Sequence, residues 1–444
     1  MAQYSKSRDS KQKPQKNDDI YEVNLLAHSD GEFVTTVNPW GNQVVQVDDD
    51  TVQHTSKNRR KVSTFELTDF ATFTNSKDPD IFDEKITGTA SATHDPYLGL
   101  VRLEVGSTAG DEVIRQTKRV QRYLPGRQNE FSITCLFGTP TTGVRRRVGM
   151  FDELNGFFFE DSGDGTYRCC LRRNTAEGVL LEIYTREQWN VDKLDGTGPS
   201  GIVADPEAIQ HMSMEYEWYG AGQIEWNFII DNDKYPIHRI DHANREPHTW
   251  AAKAALPIRV ELTNVSGASG THSFYQGAHS LATEGTSTLL GRQTSVSNAL
   301  SGKTLTLANT FYPLVAIRLK STTLDSVVIP DEFAGSTLDN TNIFLRSIEG
   351  ATVTGGTWVS MGADSPVEYN ITATGFSGGT QVNTVYVNSG NGGNVYKYPE
   401  RSVTQLQRDT TTTLGDTAAT FMILGASTGA NKSGWASLSW IEVR

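Results

Sequence analysis

Long apolar runs are missing from this chain of 444 residues. No stretch approaches the ~20 apolar residues that a membrane-spanning helix requires, so helical insertion into a bilayer is not expected. Cysteine is scarce as well. Cys135, Cys169 and Cys170 are odd in number and two of them are adjacent, a poor disulfide framework. Neighbouring strand residues face opposite sides of a sheet, so Cys169 and Cys170 are expected as separate free thiols. Residues 1–19 lack the apolar segment of a secretory leader, which points to folding in the cytosol of the producing cell. Positive charge is in deficit: 40 Lys and Arg against 52 Asp and Glu leave a net charge of −12. That balance argues against broad nucleic-acid binding. There is no heptad seam and no short repeat, which excludes coiled coils, solenoids and a β-helix.

What is present is punctuation and alternation. With 40 Gly, many Ser, Thr and Asn, and 37% hydrophobic against 21% charged residues, the composition fits a folded chain of short strands and many turns. From about residue 97 the apolar residues recur with period 2. Val101, Leu103 and Val105 alternate with Arg102 and Glu104. Met212, Met214, Tyr216 and Trp218 alternate with Ser213, Glu215 and Glu217. After Gly220-Ala221-Gly222, Ile224, Trp226, Phe228 and Ile230 alternate with polar residues, so the two runs predict a hairpin with a large aromatic face. Ile258–Leu262, Val315–Leu319 and Trp435–Val443 predict further strands, whereas 111–122 reads equally as a short helix or a strand.

The expected fold class is all-β: two β-sandwich or jelly-roll-like units behind an extended N-terminal arm. Residues 1–60 form the arm and a docking segment, 61–285 a sandwich of concanavalin or jelly-roll type, and 286–444 a second sandwich. The Ser/Gly/Thr-rich stretch 264–302 reads as a long loop or connection between them.

Motifs with chemical content are few. Gly196-Thr197-Gly198-Pro199-Ser200-Gly201 matches a dinucleotide fingerprint in spacing only; no strand precedes it, no helix follows, and Pro199 removes an N–H. It reads instead as an ordered loop in which Asp192 and Asp195 cap turns. Asp161-Ser162-Gly163-Asp164-Gly165 lacks the ligand spacing of a calcium loop and reads as a hairpin turn. His238, His242 and His248 lie near Asp241 without helical spacing to converge them, so no metal and no cofactor is expected. Arg145-Arg146-Arg147 reads as a charge run at a strand start, either meeting an acidic neighbouring subunit or forming a solvated edge that discourages strand pairing. Glu215 and Glu217, two apart on one strand, face the same side; some jelly-roll glycosidases mount an acid and a nucleophile this way, but a third carboxylate is missing, because position 219 is Tyr. The pair is kept as a weak alternative acid pair, with a solvated or interface face as the main reading. Trp189, Asn190, Asp192, Asp195, Tyr219, Tyr235 and Trp250 are the candidate interaction loop; its aromatics Trp189, Tyr219, Tyr235 and Trp250 read either as a sugar-binding platform or as core-filling side chains.

Several segments, taken in order, resemble virion structural proteins of tailed bacteriophages, especially phages of aquatic bacteria. They are Arg122-Tyr123-Leu124-Pro125-Gly126-Arg127, Arg147–Asp152 leading to Gly156-Phe157-Phe158-Phe159-Glu160, the loop Trp189–Gly201, Glu217–Gln223, His242-Ala243-Asn244, Leu256–Glu261, Gly378-Gly379 and Ser439-Trp440-Ile441-Glu442. The likeness runs over roughly residues 97–444, leaving the first 96 outside it. The resemblance implies a particle component with no enzymatic residue set: a homo-oligomer made in the bacterial cytoplasm and carried in the virion, contacting other virion proteins. The alternative is a virion protein that recognises host surface glycan, and a further one is a glycan-degrading enzyme centred on Glu215 and Glu217.

Overall fold

The computed structural model describes residues 65–120, 126–217, 220–253, 255–285, 291–388, 393–397, 405–406, 408–409 and 414–443. It also places three short strands ahead of them: β1 (Asn24–Leu25), β2 (Val34–Val37) and β3 (Gln43–Val44), paired antiparallel. Otherwise the expected N-terminal arm lies outside the described residues. Among these residues every regular element is a strand, apart from one 3₁₀ turn at Arg186–Gln188. The all-β expectation therefore holds.

The first sandwich contains β4 (Phe65–Ala71), β5 (Phe82–Thr87), β6 (Ser91–Asp95), β7 (Leu100–Val105), β8 (Glu112–Thr117) and β9 (Gln128–Leu136). They are followed by β10 (Val144–Phe151), β11 (Gly156–Asp161), β12 (Tyr167–Thr175) and β13 (Gly178–Tyr184). The last five are β14 (Ile209–Glu217), β15 (Ile224–Ile230), β16 (Asp233–Ile240), β17 (Ile258–Asn264) and β18 (His272–Glu284). One sheet runs β13-β12-β11-β10-β17-β8-β5; the other runs β16-β15-β14-β9-β18-β7-β6, with β4 also on β18. Period-2 alternation sends one face of each sheet inward. Phe157 and Phe159 of the first sheet meet Tyr216, Trp226 and Phe228 of the second at ring-centroid distances of 4.8, 6.3 and 5.7 Å. Cys169 joins this core, while Cys170 packs on the other face with Phe151 and Phe158; all three cysteines are free and buried.

The second sandwich sets a sheet containing Tyr312–Leu319, Ile343–Glu349, Val367–Asn370, Thr380–Val387 and Phe421–Ser427 against one built on Lys432–Val443 and Val327–Ser336. Its core includes Ile317, Phe333, Leu345, Ile423, Leu438 and Trp440.

The structure corrects two expectations. The stretch 264–302 is not a long loop: β18 spans thirteen of its residues, and Gly291–Ser297 is another strand. Its alternation is hidden because polar residues occupy inward positions. Gln276 accepts the Arg115 Nε hydrogen bond at 2.8 Å, and His279 sits 3.3 Å from Asp69. Arg145–Arg147 do open a strand, as expected, but not a solvated edge. β10 lies between β11 and β17, and Arg146 and Arg147 are buried against Asp161 (2.9 Å) and Glu160 (2.6 Å). The 111–122 ambiguity resolves as strand β8.

Candidate functional site

The loop from Trp189 to Gly201, the first candidate in the sequence, is a self-contained scaffold. Asp192 Oδ1 accepts the Leu194 N–H at 2.9 Å and Oδ2 the Ser200 N–H at 2.8 Å, while Asp195 Oδ1 accepts the Thr197 N–H at 2.8 Å. These contacts hold both carboxyls below the usual carboxylate range. For Asp192, backbone donors outweigh the upward push of burial; for Asp195, Thr197 is the main cause. Asn190 ties the loop to β16 by donating to Arg239 O (2.8 Å) and accepting from Arg239 N (2.9 Å).

The aromatic platform is not assembled. Trp189 and Trp250 are buried in the core, and Tyr235 is half-buried and packs on it; Tyr219 lies outside the described residues. A tryptophan face contributes more by burial than by exposure here, so these residues hold the sheets together. The histidines divide too. His238 is buried against Tyr184, while His242 and His248 meet ring to ring at 5.6 Å. Asp241 is engaged by Gln223 (2.6 Å) and Arg245 (3.7 Å). Among the described residues no group of three or more His, Cys, Asp or Glu could hold a metal.

The polar groups that do come together lie on the other face of the β14–β15 hairpin. Since Met212, Met214 and Tyr216 face inward, Ser213, Glu215 and Glu217 must face outward. On β15 the same alternation turns Glu225 and Asn227 to that side. Register then builds rows across the sheet: Glu130, Glu215, Glu225 and Arg239 are successive cross-strand neighbours, and Ser132, Ser213 and Asn227 form the next row. Gln128 stands opposite Glu217.

Of the two readings expected for this face, solvated or interface, the solvated one does not hold. Glu215 is 3% exposed and Glu225 1%, while Ser213 and Asn227 are 0%. The Glu215 carboxylate accepts from Gln128 Nε2 and pairs with Lys234 Nζ through its other oxygen. Glu225 pairs with Arg239 Nε. Ser132 Oγ and His211 Nε2 are 2.7 Å apart. The Ser213 hydroxyl and both atoms of the Asn227 amide, by contrast, have no hydrogen-bond partner in the structure. A buried carboxamide left unsatisfied costs about 1–3 kcal/mol, so this floor is chemically incomplete.

Sequence reasoning finds Glu215 and Glu217 but misses Glu225, Asn227, Gln128, Lys234 and Arg239. The signal is available for the first two. Pairing the hairpin through its glycine-bearing loop places the polar positions of both strands on one face.

No protein-family model and no curated protein matches the chain. Solved structures do. An endo-1,3-β-glucanase from Streptomyces sioyaensis is 10% identical, with a TM-score of 0.37 over 50% of this chain and 97% of that one. A glycoside hydrolase family 16 endo-glucanase from Bacteroides ovatus is 9% identical, with a TM-score of 0.33 over 48% and 99%. An immunostimulatory antigen and pseudo-β-1,3-glucanase of Mycobacterium tuberculosis is 10% identical, with a TM-score of 0.35 over 48% and 98%. These values are too low to transfer an activity. The expectation of no enzymatic function is not upheld: the solved structures similar to this chain include glucanases and a transglycosylase.

Proposed function

We propose that the protein recognises glycan through the outward face of β9, β14, β15 and β16. The observation that supports this reading is the Ser213–Asn227 floor beside the Glu215 and Glu225 ion pairs. Lys234 and Arg239, each about a third exposed, are the groups a glycan meets first; Ser213 and Asn227 lie fully buried beneath them, and a sugar hydroxyl, which both donates and accepts, would satisfy them on displacing what covers them. Carboxylates fixed by Lys234 and Arg239 add oriented acceptors. The test is a glycan array, followed by calorimetry on any ligand found. Wild-type protein should bind a defined subset, and Asn227→Leu should weaken that binding at least tenfold while the protein stays folded. A flat array rejects the proposal.

Glu215 and Glu217 favour a second reading, glycan cleavage. Two residues along a strand put both carboxyls on the same side of the sheet, about 6.8 Å apart at the backbone, and a pair of carboxyls on one face is what glycosidic cleavage uses. In this reading Glu215, held by Lys234 and Gln128, is one carboxyl and Glu217 the other. Release of reducing ends from a bound glycan, abolished in Glu215→Gln, supports cleavage; binding without release limits the face to recognition.

The wider setting we propose is a tailed-phage particle, in which copies associate with other virion proteins and the glycan belongs to the host surface. The ordered segment resemblance supports it. Mass spectrometry of purified virions should find the chain, and consistent absence removes this setting without touching the glycan proposal.

A further inference from the structure

The seven-stranded sheet of the first sandwich ends in the edge strand β13. β13 pairs with β12 on one side, and among the described residues no strand meets its other side. The hairpin that joins them fixes which backbone groups are left over. Thr175 and Gly178 close its two-residue turn and so form a hydrogen-bonded pair. Alternation along the ladder then aims the N–H and C=O of Leu180, Glu182 and Tyr184 at β12. Those of Val179, Leu181 and Ile183 point away from the sheet. The side chains of these three share its outer face. Leu181 packs on Phe151, Phe158 and Cys170, while Val179 is 48% exposed and Ile183 42%.

The other edges of this sandwich carry the usual guards against strand pairing. β5 presents Asp83, Glu84 and Lys85 in succession. β6 has five residues and ends on His94 and Asp95. β16 contains Lys234 and Pro236, and its ladder to β15 shifts register between Trp226 and Asn227. β4 contains Glu66 and Asp69, with a register shift between Leu281 and Ala282 of its neighbour. β13 has seven residues, without Lys, Pro or a shift in its ladder. Its one charged residue, Glu182, is already matched within the sheet by Arg173 at 3.4 Å and the Tyr184 hydroxyl at 2.8 Å.

We propose that β13 is a dimerisation edge, where two copies of this chain pair antiparallel about a two-fold axis at Leu181. That register sets Val179 of one copy opposite Ile183 of the other and Leu181 opposite its own equivalent. All three outward-pointing residues then meet outward-pointing residues, and each such pair exchanges both backbone hydrogen bonds. Centring the axis on Leu180 or Glu182 instead leaves one of the three without a partner inside the strand. The outer face gains a row of apolar cross-strand pairs continuous with the Phe151, Phe158 and Cys170 cluster. On the opposite face Leu180 of each copy meets Glu182 of the other. The strand is thus complementary to itself, as an isologous interface requires. One strand pair is a small interface, below about 1,200 Å², so a dissociation constant of about 1 μM or weaker is expected. The net charge of −12 on each copy opposes association at low salt.

The test is sedimentation equilibrium of the full chain from about 1 to 100 μM at about 0.15 M salt, with hydrogen exchange at both ends of that range. A monomer–dimer equilibrium should appear. The amides of Val179, Leu181 and Ile183 should slow as concentration rises, while those of Leu180 and Glu182, already bonded to β12, change little. The double variant Val179→Lys, Ile183→Lys alters two exposed side chains and should melt close to wild type, yet weaken the dimer about tenfold or more. Leu180→Lys should keep the dimer, because the new ammonium meets Glu182 of the second copy; association driven by apolar exposure alone would weaken in both variants. A monomer throughout the range, a dimer unaffected by the double variant, or a dimer in which the three amides stay unprotected overturns the proposal. β13 and the β14–β15 face belong to different sheets, so this failure leaves the glycan-face proposal standing.

Discussion

At the scale of single residues, the informative groups are polar side chains buried without a full set of partners. His238 lies against Tyr184 at 4.5 Å and Trp226 at 5.9 Å, with neither ring nitrogen hydrogen-bonded. Burial lowers its pKa from 6.5 to about 4. The unfolded chain therefore takes up the proton at a higher pH than the fold does. His238's contribution to stability is complete above pH ~6.5, declines as pH falls toward 4, and is lost below that. At 1.36 kcal/mol per unit the drop is about 3 kcal/mol at most. His238→Phe keeps an aromatic ring against Tyr184 and Trp226 and should flatten stability between pH 6.5 and 4. Urea midpoints of both proteins at pH 7, 5.5 and 4.5 read this directly; parallel profiles would show that another group titrates.

At the scale of elements, the hairpins and the charged sheet face carry separate predictions. The β15–β16 turn places Asp231 at φ 54° and Asn232 at φ 70°, the left-handed region that Asn, Asp and Gly tolerate. Asn232→Gly should leave stability nearly unchanged and Asn232→Val should cost about 1–2 kcal/mol in chemical denaturation. On β17, burial pushes the Glu261 carboxyl upward, but Arg259, at 2.6 Å, together with Arg147 and Arg172, outweighs burial and holds it below the usual range. Its stabilising effect is therefore present above pH ~4.3 and lost as pH falls through the lower folded value. Glu261→Gln should cost about 3–5 kcal/mol near neutral pH and show a shallower acid limb in the pH dependence of melting.

These elements also show what alternation makes legible. The hairpin of Met212–Trp218 and Ile224–Ile230 is readable because large apolar residues mark every second position, and its polar face follows by subtraction. β18 is not, since Gln276, Gly277 and His279 interrupt its apolar alternation. The Arg145–Arg147 run misleads because charge suggests an edge, whereas Arg146 and Arg147 are neutralised by Asp161, Glu160 and Glu261 on neighbouring strands. The rows of the candidate site depend on register between strands distant in sequence, which a single-strand pattern does not encode.

At the scale of the whole molecule, the two sandwiches meet at a small charged cluster. Lys253 Nζ pairs with Asp152 of the first sandwich and with Asp325 of the second, the latter at 2.9 Å. Arg408 adds a 3.2 Å pair to Asp325, and its backbone N–H donates to Lys118 O at 3.3 Å. Burial alone would lower the lysine pKa, but the two aspartates outweigh it and raise it, so Lys253 stays charged throughout the stable range of the protein. Removing the ammonium leaves two carboxylates facing each other across the junction with Arg408 as the remaining cation. Lys253→Met should therefore weaken the coupling between sandwiches more than it destabilises either one, since neither hydrophobic core includes Lys253. Scanning calorimetry should show one cooperative transition for the wild type and two resolved transitions for Lys253→Met. A single transition shifted uniformly in the variant would place the coupling in the surrounding backbone contacts instead, with Arg408 N to Lys118 O the first to examine.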